Sequence, residues 1–410
     1  MSETITDFDV VIIGAGPAGL SLAGSLAAQG LAIALVERLP GASLTAPEFD
    51  GREIALTHSS VDILRGLGAW ERIPQDVIAP LREARVLDGA GGHALSLSPS
   101  GDAGERLGHL VPNFHIRRAL HDAVQSRPNI RLFTESTATG MTAASGHATL
   151  TLADGARLTA RLVVAADTRF SEMRRRVGIG AAMHDFGASM LVCRMAHEEP
   201  HHEVATEWFG YGQTIAMLPL NGVAEMPHLS SLVLTLPARE IERLRTLDDA
   251  AFGAEITRRY QGRLGPMRPV SSRHVYPLVA VYAQRFVAPR FALVGDAAVG
   301  MHPVTAHGFN YGLRGQHVLA GLIAGAVANK GDIGAPALLQ RYERAHRLAT
   351  RPFYLATNAT ARLYTDDSLP ARVLRDVVLR IGARLPPVRH MMVAKLMEKT
   401  TPSIGPSRVV

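Results

Sequence analysis

The fold is decided by the stretch "FDVVIIGAGPAGLSLAGSLAAQGLAIALVER", residues 8–38. Residues 10–13 form a continuous aliphatic run, which is typical of a parallel strand buried on both faces. A glycine-rich turn follows, then a run of small residues that suits a helix packed closely on a sheet, with Gly30 as its stop signal. Residues 31–37 form a second buried strand. This order predicts the first βαβ unit of a Rossmann-like domain.

The turn "GAGPAG" carries the chemistry of a pyrophosphate site. Gly14 permits the tight turn, Gly16 lets the backbone approach a pyrophosphate, and Gly19 allows close contact between helix and strand. The amides at the helix N-terminus, where Ala18 lies, point toward the phosphates and add the positive end of the helix dipole. The turn therefore predicts a bound nucleotide.

An acid at the end of the second strand narrows the choice of nucleotide. Glu37 lies 18 residues after Gly19, where its carboxylate can accept hydrogen bonds from a ribose 2'-hydroxyl and would repel a 2'-phosphate. Arg38 follows it directly and belongs to the predicted nucleotide site. The motif occurs once, whereas enzymes with separate Rossmann domains for FAD and a nicotinamide would carry two copies. The nucleotide is therefore FAD or NAD.

A second motif favours FAD. In "RFALVGDAAVGMHPVTAHGFNYGL", residues 290–313, an aliphatic strand delivers Gly295 and Asp296 to the edge of a sheet. Asp296 can accept hydrogen bonds from the ribityl hydroxyls of FAD, and NAD has no comparable group between its pyrophosphate and its ring. A helix of small residues from Gly308 to about Asn329 would direct its N-terminal amides at the pyrimidine edge of the flavin.

With both motifs in place, the chain resembles the single-component FAD-dependent aromatic hydroxylases, the para-hydroxybenzoate hydroxylase superfamily, over about residues 8–345. "NFHIRRALHDAV" (113–124) and the segment 275–298 are generic to that superfamily. "DGREIALTHSSVDILRGLGAW" (50–70) and "WFGYGQTIAMLPL" (208–220) are more particular to the ubiquinone-biosynthesis hydroxylases of the UbiH, UbiF and UbiM type. The form "GDAAVGMHPVTAHGFN" is most similar to UbiM-like members.

The resemblance implies roles for further residues. Arg52 in "GREIAL" and Arg117 in "HIRRAL" match family arginines that contact FAD, and Gly308 and Asn310 match backbone positions beside the isoalloxazine. One family motif departs from its usual form, because Thr168 follows Asp167 where the superfamily has glycine. That motif is linked to both FAD and nicotinamide binding, so the electron donor stays open between NAD(P)H and another reductant.

The resemblance also implies an activity. It is FAD-dependent hydroxylation, by dioxygen and through a flavin hydroperoxide, of a polyprenylated phenol or quinol in ubiquinone biosynthesis. The demethoxyubiquinol step and the 5-position step are the candidate reactions. No catalytic side chain is assigned, because the cofactor carries the chemistry. Two alternatives stay open: an FAD-dependent reductase of prenyl double bonds, and a non-catalytic lipid-binding flavoprotein subunit of a biosynthetic assembly.

The expected fold class is α/β, with a Rossmann-like FAD-binding domain, an inserted antiparallel-sheet substrate domain and C-terminal helices. Alternating runs such as "SMLVCRMAH" and "LSSLVLTLPA" predict the antiparallel sheet. We expect residues 1–75, 100–170 and 280–335 to form the FAD-binding domain, residues 76–99 and 171–279 the substrate domain, and residues 336–410 the helical region.

Composition excludes several classes of protein. The net charge is +6, but no Lys/Arg block is interleaved with aromatic residues, so no nucleic-acid partner is expected. Cys193 is the single cysteine, which rules out an intramolecular disulfide and a cysteine metal cage. The histidine-rich segment "HEEPHH" (197–202) is interpreted as a solvated turn, so no metal is predicted. The first residues carry no basic signal region, and no apolar run is long enough to span a bilayer. A cytoplasmic protein is expected.

The last segment of the chain mixes basic and apolar residues. One interpretation is a pair of surface helices packed on the body of the protein. The other is a face that docks peripherally on the inner membrane or on other ubiquinone-biosynthesis proteins. The basic residues of this segment are Arg372, Arg375, Arg380, Arg384, Arg389, Lys395 and Lys399.

Overall fold

The computed structural model describes residues 5–89, 94–99, 104–210, 212–302, 307–365 and 386–398. The strands are β1 (Ile5–Ile13), β2 (Ile33–Val36), β3 (Glu53–Leu56), β4 (Ala79–Leu81), β5 (Glu83–Asp88), β6 (Ala94–Leu97), β7 (Gly108–Pro112), β8 (Ile130–Phe133), β9 (Ala138–Ala143), β10 (Ala148–Leu152), β11 (Arg157–Ala165), β12 (Ala181–His197), β13 (Val204–Gly210), β14 (Gln213–Leu220), β15 (Leu229–Pro237), β16 (Met267–Pro269), β17 (His274–Ala283), β18 (Val287–Ala288), β19 (Phe291–Leu293) and β20 (Val299–Gly300). The helices are α1 (Pro17–Ala27), α2 (Ala42–Thr45), α3 (His58–Gly66), α4 (Asn113–Gln125), α5 (Glu172–Arg176), α6 (Ala238–Arg245), α7 (Asp249–Arg259), α8 (Gly308–Ala328), α9 (Pro336–Thr365) and α10 (Pro386–Met397). Short 3-10 helices span Trp70–Arg72, Gln75–Val77 and Gly295–Ala297.

The first large sheet has the Rossmann-like arrangement that the sequence predicts. Its eight strands include the path β18-β19-β11-β1-β2-β8, and the inner pairs from β19 to β8 are parallel. On β1, Ile12 lies beside Leu35 of β2 and Val164 of β11, and all three are fully buried or nearly so. Because helices cover both faces of a parallel sheet, these strands are aliphatic throughout. Ligands of such sheets bind beyond the carboxyl ends of the strands.

The second large sheet has nine strands, with the path β20-β17-β12-β15-β14-β13-β5-β6 and with β16 beside β12. It differs from the expected antiparallel sheet in one pair, because β13 and β5 run parallel. Strands β5 and β13 are far apart in the chain and are not joined by a hairpin. The long connection between them permits the parallel direction. Strands β5 and β6 lie in the segment 76–99 that we expected to join this sheet.

Helix α8 links the two motifs that the sequence analysis singled out. It begins at Gly308 and ends at Ala328, as predicted to within one residue, and it packs against α1. Leu313, Leu319 and Ile323 are its buried apolar residues. The predicted fold class is therefore confirmed: a Rossmann-like parallel sheet, a largely antiparallel second sheet, and helices that follow them.

The C-terminal helix α10 packs on the body of the protein. Its Val393 and Met397 are buried with Leu95 and Leu97 at the edge of the second sheet and with Leu81 of β4, which belongs to a three-stranded sheet with β3 and β7. This favours the packed interpretation for residues 386–398. Of the basic residues predicted for a docking face, Arg372, Arg375, Arg380, Arg384 and Lys399 lie outside the described residues. Across the described part of the chain, no helix has the length and apolar character that a bilayer span requires.

Candidate active site

A single continuous cavity of about 3040 Å³ runs between the two large sheets. It brings together every predicted site residue except Gly19, which packs inside the fold. The predicted residues that line it are Gly14, Gly16, Ala18, Glu37, Arg38, Arg52, Arg117, Asp296, Gly308 and Asn310.

The three glycines of the first turn have different local surroundings. Gly14 has φ +102°, and a Cβ there would lie 2.7 Å from the carbonyl oxygen of Ala166. A Cβ on Gly19 would lie 1.9 Å from the carbonyl oxygen of Gly14, so both glycines are required by packing. A Cβ on Gly16 would meet no protein atom within 4 Å. Gly16 therefore faces open space at the N-terminus of α1, where an anion fits.

Glu37 ties the glycine turn to the end of β2. Its Oε2 accepts a hydrogen bond from the Ala15 N–H at 2.8 Å, and its Oε1 accepts one from the Leu39 N–H at 2.9 Å. The carboxylate is largely buried but borders the cavity. Each oxygen keeps a further lone pair, which can accept a ribose hydroxyl. Arg38 is exposed at the mouth of the same region.

Arg52 is held over the cavity by two neighbours. Its Nη2 donates to Oδ2 of Asp50 at 2.5 Å, and its guanidinium lies 5.5 Å from the ring centroid of Tyr276. The Tyr276 hydroxyl donates in turn to the Asp50 carbonyl oxygen at 2.8 Å. Arg117 makes one long hydrogen bond, at 3.5 Å, to the carbonyl oxygen of Ser43. Both guanidinium groups border the cavity with donors to spare.

Asp296 has a partner that sequence reasoning missed. Arg169 donates from Nη2 to Asp296 Oδ2 at 3.0 Å and from Nη1 to the Val279 carbonyl oxygen at 3.0 Å. Arg174 supports this pair, because its buried guanidinium donates to the carbonyl oxygens of Arg169 and Ala297. The signal in the sequence was the altered motif "AADTRFSEMRR", which contains both arginines.

Asp167, from the same motif, borders the cavity with one unpartnered oxygen. Its Oδ1 is buried and has no hydrogen-bond partner. Burial raises the pKa of this carboxyl above its ordinary value, against the opposing hydrogen bond from Ser171. A buried acceptor without a partner is costly in a protein interior. A ligand hydroxyl would satisfy it, so this position fits a polyhydroxylated cofactor.

The side chain of Asn310 is occupied by the protein itself. Its Oδ1 accepts from the Ser60 hydroxyl at 2.7 Å and from the Thr57 N–H at 3.2 Å, and its Nδ2 donates to the Ala55 carbonyl oxygen at 2.8 Å. These bonds fix the N-terminal turn of α8 to β3 and α3. Asn310 can therefore serve a cofactor only through its backbone, as the resemblance implies. Residues 303–306 of the predicted bend lie outside the described residues.

Two histidines at the cavity, His302 and His307, are packed side chains. His302 is buried against Phe186, with ring centroids 4.6 Å apart, and burial lowers the pKa of His302 to about 4. His307 is buried and stacks on Phe353 at 5.9 Å. The interpretation of "HEEPHH" as a solvated turn is wrong at His197, whose ring is buried and bonds to Ser230 at 2.8 Å, because this residue still belongs to β12.

Two further kinds of site, a metal centre and a reactive thiol, are not found in the described part of the chain. It contains no group of three or more His, Cys, Asp or Glu side chains that could hold a metal ion. Cys193 is buried, and burial raises the pKa of its thiol to about 12, so it is inert as a nucleophile. The chemistry of the cavity therefore depends on what it binds.

Comparison with known proteins identifies that ligand. A family model described as "FAD binding domain" matches residues 7–352. The ubiquinone hydroxylase UbiM of Neisseria meningitidis is 43% identical over 392 residues, which cover 95% of this chain and 84% of the relative. The ubiquinone hydroxylase UbiL of Rhodospirillum rubrum is 33% identical over 97% of this chain and 91% of the relative.

The fold is also shared with a solved flavoenzyme. The p-nitrophenol 4-monooxygenase PnpA of Pseudomonas putida superposes with a TM-score of 0.75 at 17% identity, covering 96% of this chain and all of that one. At this identity the likeness concerns the fold alone. FAD is therefore the cofactor of this chain, and its predicted site residues meet in one cavity. The chain belongs to the FAD-binding-domain family, in the branch of the ubiquinone hydroxylases, and is an FAD-dependent monooxygenase.

Proposed function

We propose that this protein hydroxylates the aromatic ring of a polyprenylated phenol or quinol intermediate of ubiquinone biosynthesis. The observation that carries the proposal is the continuity of the cavity. It joins the glycine turn, Glu37 and Asp296 at one end to an apolar face of the second sheet at the other. The similarity to UbiM and UbiL supports the same substrate class.

The residues present fit an extended FAD molecule. Gly16 and the amides of α1 would hold the pyrophosphate, and Glu37 would accept the hydroxyls of the adenosine ribose. Asp296 and the unpartnered oxygen of Asp167 would accept hydroxyls further along the cofactor. The N-terminal amides of α8, from Gly308, would face the flavin ring and stabilise negative charge there.

The far part of the cavity fits a hydrocarbon chain. Its walls include side chains from β4, β6 and the segment before β7, and α10 covers them. The apolar residues shared by this wall and the cavity are Leu81, Leu95, Leu97, Leu107, Val393 and Met397. Burying a prenyl chain here is favourable by about 0.8 kcal/mol for each CH₂ group removed from water.

The chain contributes binding and the exclusion of water. FAD, when bound and reduced, supplies the activation of dioxygen. The protein places the substrate ring in a cavity whose lining surface is mostly apolar, and this limits the access of water to the reacting atoms.

A nearly water-insoluble substrate must come from a membrane or from a protein that presents it. We therefore also propose that this protein contacts an anionic membrane peripherally. Helix α9 exposes a stripe of basic and apolar residues at helical spacing, with Leu348 78% and Leu355 58% exposed. Arginines flank these leucines on the same face. The exposed stripe consists of Arg341, Arg344, Leu348, Arg351 and Leu355. Each basic residue near an anionic surface contributes about 1 kcal/mol.

The decisive experiment is complementation of a bacterial strain that lacks its ubiquinone-ring hydroxylases, followed by mass spectrometry of the lipids under labelled dioxygen. We expect restored ubiquinone that carries label from dioxygen in the ring. Reduced prenyl double bonds without incorporated oxygen would instead support a prenyl reductase. Restoration by a variant that no longer binds FAD would support a non-catalytic lipid-binding subunit.

A further inference from the structure

One row of residues on the cavity-lining face of the second sheet contains a single acid, Glu207. The cross-strand register defines a continuous row through six strands, and all six residues line the cavity. In order from β12 to β6 the row is Val192, Val233, Ala216, Glu207, Val86 and Leu95. Glu207 is the only residue of this row that is not aliphatic.

The carboxyl of Glu207 has no hydrogen-bond partner among the described residues, although Thr214, diagonal to it on β14, carries a hydroxyl on the same face. The neighbours of Glu207 on the same face of β13 are Ala205 and Phe209, two positions before and after it. Within the part of the chain that the structure describes, no ion pair or hydrogen bond is made by Glu207, and burial raises the pKa of its carboxyl to about 8. The nearest cation on β5, Arg85, lies in register with Thr206 on the alternate face and pairs with Glu83 at 2.8 Å.

The carboxyl of Glu207 faces the cavity from an otherwise aliphatic row, and no protein group in the described part of the chain occupies it, so it is available to a ligand. Such groups cluster at functional sites, where a ligand supplies the missing partner. The protonated carboxyl can donate one hydrogen bond and accept others. The small side chains of Ala205 and Ala216 leave space above it. The complementary ligand group is a hydroxyl that both donates and accepts, attached to an otherwise apolar molecule.

We propose that Glu207 binds the substrate directly, by hydrogen bonding between its carboxyl and a hydroxyl of the phenol or quinol ring. This rests on the proposed function, which supplies a ligand with a polar ring and an apolar tail. Glu207 is thereby the residue that distinguishes a hydroxylated ring from one without a hydroxyl. The aliphatic neighbours Val86, Ala216 and Val233 would contact the ring and the start of the prenyl chain, and Glu207 would require a hydroxyl at one position of the ring.

The test compares two ligands and three variants of the full-length, FAD-loaded protein. The ligands are a hydroquinone with one short prenyl chain and its dimethyl ether, which has the same chain but no hydroxyl. The variants are Glu207→Met, which keeps the volume without hydrogen bonds, Glu207→Gln, which keeps donor and acceptor, and Glu203→Leu. Glu203 lies outside the cavity and pairs with Arg106, so its removal controls for the loss of a nearby carboxyl.

Binding is measured from the change in the flavin absorption spectrum, and turnover is measured separately. We expect Glu207→Met to weaken binding of the hydroquinone by about 10- to 100-fold. The same variant should bind the dimethyl ether as well as the wild type does. Glu207→Gln should keep hydroquinone binding within about threefold, and Glu203→Leu should behave as the wild type. The dissociation constant of FAD should be unchanged in all variants.

Equal binding of the hydroquinone by wild type and Glu207→Met would overturn the assignment. So would an equal loss for both ligands, because it would indicate a change of cavity shape rather than loss of a hydrogen bond. If Glu207→Met does not fold, Glu207→Leu serves the same comparison. The proposed function fails separately, if the wild type binds these ligands but inserts no oxygen into any prenylated phenol.

Discussion

Arg169 and Asp296 form an ion pair at 3.0 Å although 127 residues separate them in the chain. The pair joins the segment after β11 to the segment after β19, at the carboxyl edge of the parallel sheet. Arg169 also donates to the Val279 carbonyl oxygen of β17, so one guanidinium connects the two large sheets beside the cavity. Asp296 is thereby held in place before any ligand arrives.

Asp296→Ala should weaken FAD binding by about 10- to 100-fold and by more than Asp167→Ala does. The ion pair with Arg169 holds the Asp296 carboxylate in place as an acceptor for cofactor hydroxyls, whereas Asp167 already has a hydrogen bond with Ser171. The measurement is titration of the two apoproteins with FAD, followed by flavin fluorescence. Equal dissociation constants for the two variants would contradict the assignment.

Gly16→Ala and Gly19→Ala should separate cofactor binding from folding. A Cβ at position 16 meets no protein atom within 4 Å, so this variant should fold normally but hinder the approach of the pyrophosphate. A Cβ at position 19 would lie 1.9 Å from the Gly14 carbonyl oxygen, so this variant should lose stability or fail to fold. Thermal melting without FAD and FAD titration measure the two effects. Normal FAD affinity in Gly16→Ala would place the pyrophosphate elsewhere.

Glu207→Gln should stabilise the free protein increasingly as the pH rises from about 4.5 to about 8. The pKa of Glu207 is raised from its ordinary 4.5 to about 8, so in this range the folded state keeps a proton that the unfolded state releases. The free energy of unfolding of the wild type therefore falls with pH in this window and levels off above it. The advantage of the glutamine variant should reach roughly 4 kcal/mol at pH 8, because each pH unit of this window contributes about 1.4 kcal/mol. Denaturant unfolding at several pH values checks this, and parallel pH curves would refute it.

Leu348→Glu combined with Leu355→Glu should abolish association with anionic vesicles while leaving the flavin spectrum unchanged. Both leucines are exposed, so the substitutions remove apolar contact and add charge of the same sign as the lipid. Flotation with phosphatidylglycerol vesicles at low and high salt measures the effect. The matched control is Val223→Glu, at an exposed apolar residue remote in sequence. Unchanged flotation of the double variant would place the membrane contact on another face.

Truncation after Asp367 should leave FAD binding largely intact but weaken the binding of long-chain substrates, while the exposed stripe of α9 should keep the association with anionic vesicles. Among the residues removed is α10, whose Met392, Val393 and Leu396 pack where the apolar part of the cavity is closed. The glycine turn and Asp296 lie in other elements. Flavin spectra, vesicle flotation and the chain-length dependence of KM measure the outcome. Loss of the flavin spectrum would mean that the removed segment is needed for folding of the cofactor site.

Local chemistry made the cofactor site predictable from sequence. A buried strand, a glycine turn and an acid at fixed spacing have few alternative arrangements, so the path from β1 to Glu37 follows from the residues themselves. The start of α8 at Gly308 could be placed for the same reason. The resemblance supplied Arg52 and Arg117, which no local pattern distinguishes from solvated arginines. The division into domains stays a prediction.

Residues that act through long-range pairing could not be predicted. Arg169 was visible as part of an altered motif, but its partner depends on how two distant strands meet. Strand alternation in the sequence predicts which side of β13 carries Glu207. The order of β14, β13 and β5 is needed to show that its cross-strand neighbours are aliphatic and that its face borders the cavity. The parallel pairing of β5 was missed for the same reason, since the direction of a strand is a property of the whole topology.

The pairing of β1 with β11, and of β11 with β19, has a consequence for how the protein is made. The central sheet combines residues 5–13, 157–165 and 291–293, so its strands leave the ribosome far apart in time. Contacts of such long range slow folding and expose apolar strand edges while they form. The two halves of the FAD site, at Glu37 and at Asp296, meet only after three-quarters of the chain has been synthesised. FAD supply during expression should therefore govern the yield of folded protein, with the nascent chain dependent on chaperones until the cofactor can bind.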